Sequence, residues 1–287
     1  MSTGLWHRLR GEFPPHQVPF LPRPRPGAER TLALVLAYDG SAFKGWQVQP
    51  RGRTIQGELE KALGRLCDHP VRLQASGRTD TGVHAWGQVA HFQTTSTLEC
   101  PRLLAGLRAL APPEVWVREL GQVAPDFHAR YRARAKTYDY YLWPGARAPL
   151  FLRGRLWPLE QKLDREAVER ALTLVVGEHD LRAFASRGAE VEGSSRRRIL
   201  EAELQVEADG LWRIRLTATG FLRHVVRNLV GTFHQVGRRR LAPEAVAEML
   251  AAGARLYPGP KAPPGGLYLN RVYYQDPAEP PAGGGQT

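Results

Sequence analysis

The segment Ala75-Ser-Gly-Arg78-Thr79-Asp80-Thr81-Gly82-Val83-His84-Ala-Trp-Gly-Gln88 gathers more residues able to do chemistry than any other part of the chain. It joins one predicted strand to the next, and a connection rich in Gly, Thr and Asp does not suit a core. Arg78 and Asp80 flank Thr79, so both can line one cleft. A nearby opposite charge favours the ionised form of a carboxylate. An ionised carboxylate can act as a nucleophile or as a general base. The same residues also suit an aspartate that caps a turn, with Arg78 as its surface partner, and the loop alone does not choose. The histidines do not suggest a metal. His84 and His91 straddle the loop and the following strand, no HExxH occurs, and Cys67 and Cys100 form no CxxC.

The elements that must position this loop follow from periodicity. Thr31–Tyr38 reads as a buried strand closed by Asp39-Gly40. Thr54 can cap a helix with Ile55, Leu59, Ala62, Leu63 and Leu66 on one face. Val71, Leu73 and Ala75 alternate as in a strand, and Gln88–Phe92 predicts another. Pro101 opens a helix with Leu103, Leu104 and Leu107 inward, and Val115–Leu120 is a strand. The second half repeats the order. Lys136–Trp143 is an aromatic strand and Asp164–Val176 a helix. Leu200, Ala202, Leu204 and Val206 alternate, as do Trp212, Ile214, Leu216 and Ala218. Phe221–Val236 predicts a helix, a short one follows Pro243, and Leu267–Tyr274 closes as a strand. Each half reads β-α-β-β-α-β, the ferredoxin-like unit shared by many RNA-binding domains. The expected fold is therefore α+β, with two such units over 31–133 and 134–276 and strands in mixed or antiparallel sheets. A Pro/Arg-rich arm over 1–30 and a flexible tail over 277–287 flank them. Removal of the arm is expected to leave catalysis intact.

Bulk properties bound the partner. Hydrophobic residues make up 43% of the 287, enough for a packed core. The net charge is +12, and only Lys44, Lys61, Lys136, Lys162 and Lys261 are lysines among 40 basic residues, so arginine dominates. Arginine pairs bidentately with phosphate and stacks on bases, which points towards nucleic acid. A basic, arginine-rich proteome would give the same composition. Two cysteines exclude a disulfide scaffold and fit a reducing, cytosolic setting. No apolar run reaches the length of a membrane span.

Beyond these readings, the loop resembles the Gly-Arg-Thr-Asp signature of the TruA family, the tRNA pseudouridine(38–40) synthases. Five more segments match in order. Tyr38-Asp39-Gly40, Phe43, Gly45-Trp46-Gln47 and Thr54-Ile55-Gln56-Gly57 are similar to its opening motif. Asp126-Phe127-His128-Ala129-Arg130 with Lys136-Thr137-Tyr138-Asp139-Tyr140 is similar to its middle motif. Gly177-Glu178-His179-Asp180 with Phe184 is similar to another. Gly220–His224 with Val226–Gly231 resembles the late helix motif, and Ala262–Leu267 the closing one. Leu181 departs from the aromatic expected there, and Ser195-Arg196-Arg197 is more basic than the usual segment.

The resemblance implies the pseudouridine synthase fold, with Asp80 as the catalytic aspartate. It implies that Arg78 positions the RNA, that Tyr138 packs on the target base, and that Arg227 pairs with Asp80. It implies isomerisation of a flipped-out uridine in a tRNA anticodon stem-loop, with neither metal nor cofactor, by a cytoplasmic homodimer. Whether Asp80 attacks C1′ or C6, or takes a proton from C2′, stays open. The runs Arg196–Arg198 and Arg238–Arg240 suit solvated surface or phosphate contact. Two rivals fit less well. A non-catalytic RRM-type module lacks its RNP1 aromatics. Asp80-Thr81-Gly82 spells the aspartic protease tripeptide but occurs once, where that chemistry needs two carboxylates.

Overall fold

The computed structural model describes residues 5, 12–22, 29–186, 194–257 and 259–277. The expected tail from residue 278 on, and the arm outside 5, 12–22 and 29–30, lie outside the described residues. The chain forms two compact units. One comprises Phe13–Ala135 and Leu269–Thr287, the other Met1–Glu12 and Lys136–Tyr268.

The N-terminal unit carries β1 (Arg30–Tyr38), α1 (Ile55–Cys67), β2 (Gln74–Ala75), β3 (His84–Thr94), α2 (Cys100–Leu110) and β4 (Val115–Gln122). This is the β-α-β-β-α-β order read from the sequence. β1 pairs antiparallel with β3 on one side and β4 on the other. Helix α1 begins where it does because the Thr54 hydroxyl accepts the Gly57 N–H at 3.3 Å. Its Ile55, Leu59, Ala62 and Leu63 are buried with Leu32, Leu34, Leu36, Leu103 and Leu107. Leu66 and Leu104 are only half-buried.

The strand expected from Val71 to Ala75 is corrected to two paired residues, Gln74↔His91 and Ala75↔Ala90. Val71 and Leu73 are nonetheless buried, so their alternation reflects packing without a ladder. A later strand, β10 (Leu267–Tyr273), is the other neighbour of β3. It runs so close that a Cβ on Gly87 would lie 2.5 Å from the Asn270 carbonyl oxygen. β10 therefore lies along β3 beyond the point where β2 ends, while Val71–Leu73, on the other side, pack without pairing.

Cross-strand partners share a face. Ala33↔His91, Val35↔Val89, Ala33↔Gly121 and Val35↔Glu119 therefore define one face of this sheet. The arm crosses it. Phe20 sits over Gly121, where a Cβ would come within 2.6 Å of its ring. His16 Nε2 meets Glu119 at 2.5 Å. Arg118 donates to the Pro14 carbonyl at 2.7 Å, and Leu21 N–H to the Gln122 carbonyl at 2.8 Å. Val18 is buried.

The second unit carries β5 (Ala135–Pro144), β6 (Trp157–Leu159), α3 (Arg165–Thr173), β7 (Gly177–Asp180), β8 (Arg196–Val206), β9 (Trp212–Ala218), α4 (Val225–Gly237) and α5 (Ala245–Ala252). β5, β9, β8 and β7 are neighbours in that order and antiparallel, while β6 pairs parallel with β5. The sequence missed β6 and β7, and two further expectations need correction. Ile199 is buried while Leu200 is 37% exposed, because a bulge between Ile199 and Glu201 shifts the register. The late helix starts at Val225 rather than Phe221, because His224 takes a left-handed conformation (φ 69°) that a helix cannot continue through.

Candidate active site

Asp80 lies between β2 and β3 in the N-terminal unit, and the loop around it is held by buried polar side chains. Gln88, fully buried, donates to the Gly77 carbonyl at 2.9 Å and to the Tyr38 hydroxyl at 3.3 Å. Its carbonyl oxygen accepts the Ser76 hydroxyl at 2.7 Å. Tyr38 and Thr79 share a hydrogen bond of 2.9 Å. Burial pushes the Tyr38 hydroxyl up to about 12, so it stays protonated as a structural link. From the other side, Trp46 N–H donates to the Thr79 carbonyl at 3.0 Å, and Val83 N–H to the Asp80 carbonyl at 3.1 Å.

Two glycines allow this close approach. Gly45 has φ +88°, and a Cβ there would lie 2.7 Å from Thr79 O and 3.1 Å from Asp80 C. A Cβ on Gly40 would lie 2.0 Å from Val83 O. Asp80 is half-exposed and Arg78 exposed on this frame. Both are therefore presented to solvent by a backbone that is fixed beneath them.

His84 is buried at the end of the loop, its Nδ1 3.1 Å from Gly40 N and 3.2 Å from Asp39 Oδ1. Its tautomer decides which of the two it bonds. His84 and His91 both lie on β3, so the reading that they straddle a loop and a strand is corrected. Between them the pairing with β1 shifts register, with Leu36 opposite Gln88 but Tyr38 opposite Ala85, so a bulge interrupts the alternation of β3. Among the described residues, no group of three or more His, Cys, Asp or Glu could hold a metal ion, and no helix is long and apolar enough to cross a membrane.

Tyr138 and Arg227 belong to the other unit. Tyr138, on β5, is half-exposed and stacks edge-on against Phe221, with ring centroids 5.4 Å apart. Arg227, on α4, is 8% exposed. Its Nε donates to the Ala262 carbonyl at 2.8 Å, and its own carbonyl accepts the Ala262 N–H at 3.1 Å. The next residue of that loop, Pro263, accepts the Tyr140 hydroxyl at 2.8 Å. Burial raises the Tyr140 hydroxyl well above its ordinary value, and the Arg227 charge opposes that shift. Tyr138 and Tyr140 are two apart on β5 and share a face. Tyr140 and Arg227 thus hold the same loop, and Tyr138 stands on the Tyr140 face of β5. Asp139, on the opposite face, is fully buried and held bidentately by Arg215 at 2.8 and 3.0 Å.

The structure therefore puts Arg78 with Asp80 in one unit and Tyr138 with Arg227 in the other. Sequence reasoning assigned no role to Tyr38, Gly45, Ser76, Gln88 or Phe221. All five stand in the quoted segments as spacing only, and nothing local marks Gln88 as buried.

Known proteins agree on one family. The family model described as tRNA pseudouridine synthase matches residues 34–132 and 171–275. A relative named tRNA pseudouridine synthase A from Moorella thermoacetica is 42% identical over 245 residues, covering 85% of this chain and 99% of the relative. One from Geobacter sulfurreducens is 40% identical over 85% of this chain and 100% of the relative. One from Geobacillus kaustophilus is 41% identical over 85% and 95%. The chain belongs to the tRNA pseudouridine synthase family, whose members isomerise uridine in tRNA. A solved archaeal box H/ACA sRNP Nop10-Cbf5 complex aligns over 83% of this chain and 46% of that one at 13% identity and TM-score 0.30, which adds nothing to the assignment.

Proposed function

We propose that this chain isomerises uridine to pseudouridine at positions 38, 39 and 40 of the tRNA anticodon stem-loop, acting in the cytoplasm as a homodimer. The observation that carries the reading is the Asp80 loop. A family-matching Gly77-Arg78-Thr79-Asp80 segment is built on buried polar supports and leaves Asp80 half-exposed. Moving the glycosidic bond from N1 to C5 changes no oxidation state, so a carboxylate and positioning groups suffice in principle. A stacked uridine must flip out, at a cost of a few kcal/mol. Arginine contacts to phosphate offset that cost, and the net charge of +12 suits them.

In this reading Asp80 acts on the sugar or base as nucleophile or base. Arg78 contacts the RNA backbone beside the flipped nucleotide. Tyr138 packs on the uracil and takes part in proton removal at C5. Arg227 orients the aspartate. The position claim is tested by incubating unmodified tRNA transcripts with the enzyme and mapping each pseudouridine by primer extension. Pseudouridine confined to 38–40 supports it. Pseudouridine only at other positions contradicts it.

A further inference from the structure

We propose that the turn Asp126–Arg132 is a second RNA contact, in which Tyr131 stacks on an unpaired base of the tRNA near the target uridine. The proposal rests on the tRNA-modifying reading above.

The turn is anchored from beneath. Phe127 is 6% exposed, edge-on to His91 with centroids 6.0 Å apart, and packs on Tyr274 at 5.1 Å. Ala129 is gripped at both ends: its N–H donates to His91 Nδ1 at 3.2 Å, and its carbonyl accepts the Tyr274 hydroxyl at 2.8 Å. His128 Nδ1 accepts the N–H groups of Arg130 at 3.1 Å and Tyr131 at 3.3 Å. In a neutral ring that leaves the proton on Nε2, which donates to Gln74 Oε1 at 2.8 Å. Burial and the Arg130 charge both lower the His128 pKa, so the ring is neutral at physiological pH.

These bonds build a ladder of rings. His91 and His128 have centroids 4.6 Å apart, and His128 and Tyr131 4.2 Å. The outermost ring, Tyr131, is 69% exposed. Much of a large aromatic surface is thus left in water, while its backbone is bonded to His128 and its ring rests against the His128 ring. A ring held this way loses little freedom when a flat partner stacks on it. Every nucleobase offers such a face, so stacking on the ring does not depend on sequence.

The surroundings suit RNA rather than a neutral aromatic. Arg130 lies 5.5 Å from the Tyr131 ring centre and is exposed, as are Arg72 and Arg78 on either side of Gln74. Gln74 stands six residues before Asp80. Six residues span at most about 20 Å, and stacked nucleotides rise about 3.4 Å each. Tyr131 reaches Gln74 through His128, which adds on the order of 15 Å, so the stacked base falls within about ten stacked nucleotides of the target.

The test is steady-state tritium release from C5-labelled tRNA uridine, comparing wild type with Tyr131→Leu, Tyr131→Phe and Tyr131→Trp. Loss of one base stack should raise KM about 5- to 160-fold in the Leu variant, with kcat within about twofold. Phe and Trp should hold KM at wild type or below. Unchanged KM in the Leu variant overturns the proposal, as does a fall in kcat alone, or a Trp variant as poor as Leu. Absence of release by wild type overturns the underlying reading too, which separates the two failures.

Discussion

In the N-terminal unit Asp80 sits on irregular backbone, fixed by three separated segments: the Tyr38 and Gln88 side chains and the Trp46 backbone N–H. In the C-terminal unit Tyr138 and Arg227 ride on a regular strand and a regular helix, and their supports are one loop and one ring. The first arrangement places a carboxylate in an accessible spot where no periodic element would put it. The second borrows stiffness from elements that would form anyway. The catalytic loop should therefore be sensitive to small changes in shape, and the C-terminal residues to changes in their unit's packing.

That contrast can be broken in several ways. The largest effect expected is in the C-terminal unit. Arg215→Leu leaves the fully buried Asp139 without its bidentate partner, which costs about 3–5 kcal/mol. Urea unfolding should register the loss, while kcat of the folded enzyme holds. In the N-terminal unit the pattern reverses. Gly45→Ala drives a Cβ to 2.7 Å from Thr79 O and displaces the Asp80 loop. A displacement near 1 Å costs about a hundredfold in kcat, with circular dichroism unchanged. If Gly45→Ala instead unfolds the protein at full specific activity, the loop is a stability element and the comparison fails.

Truncation to Glu29 removes Val18, Phe20 and the His16–Glu119 contact from the β1–β3–β4 face. Losing the burial of one such side chain costs about 2 kcal/mol. A lower Tm is expected, with kcat at 25 °C intact. Loss of turnover in the folded truncate would show that the arm serves the chemistry.

The smallest effect is shared by both units. Burial, and then the neighbouring His128 charge, lowers His91 to about 4. Burial, and then Arg238 and Arg240, lowers His234 to about 4. Each folded-state value lies below the ordinary 6.5. Between those values the unfolded chain binds the proton and the folded chain does not. Their contribution is thus complete above about pH 6.5 and is lost as pH falls towards 4. Tm measured from pH 7 to 4.5 should fall less steeply in His91→Asn and in His234→Gln than in wild type.

What the sequence made legible follows the same divide. β1 was readable as a continuous apolar run buried on both faces, and α1, α2 and β4 because each buries one apolar face at its own period. β6 was not, because it is three residues long with Pro158 inside it. β7, Gly177–Asp180, is four residues of an edge strand with no hydrophobic side chain. β2 fell short because Val71 and Leu73 alternate by packing into the core, and only Gln74 and Ala75 pair with β3. The start of α4 was misread because Phe221 and Leu222 continue an apolar pattern that the left-handed His224 interrupts. In the site, Arg78 and Asp80 stood out because glycines and hydroxyls cluster only where backbone is irregular. Tyr138 and Arg227 carry no such mark. An aromatic on a strand and an arginine on a helix are ordinary, and only the resemblance singled them out. The buried supports Ser76 and Gln88 depend on tertiary packing that local sequence does not encode.

The central claim is that Asp80 carries the chemistry while the surrounding frame only holds it. Tritium release from C5-labelled uridine in unmodified tRNA, compared between wild type and Asp80→Asn with tRNA binding measured alongside, tests it most directly. Release by wild type, at least about a thousandfold slower release by Asp80→Asn, and equal binding is the predicted result. Comparable release by both proteins would contradict it.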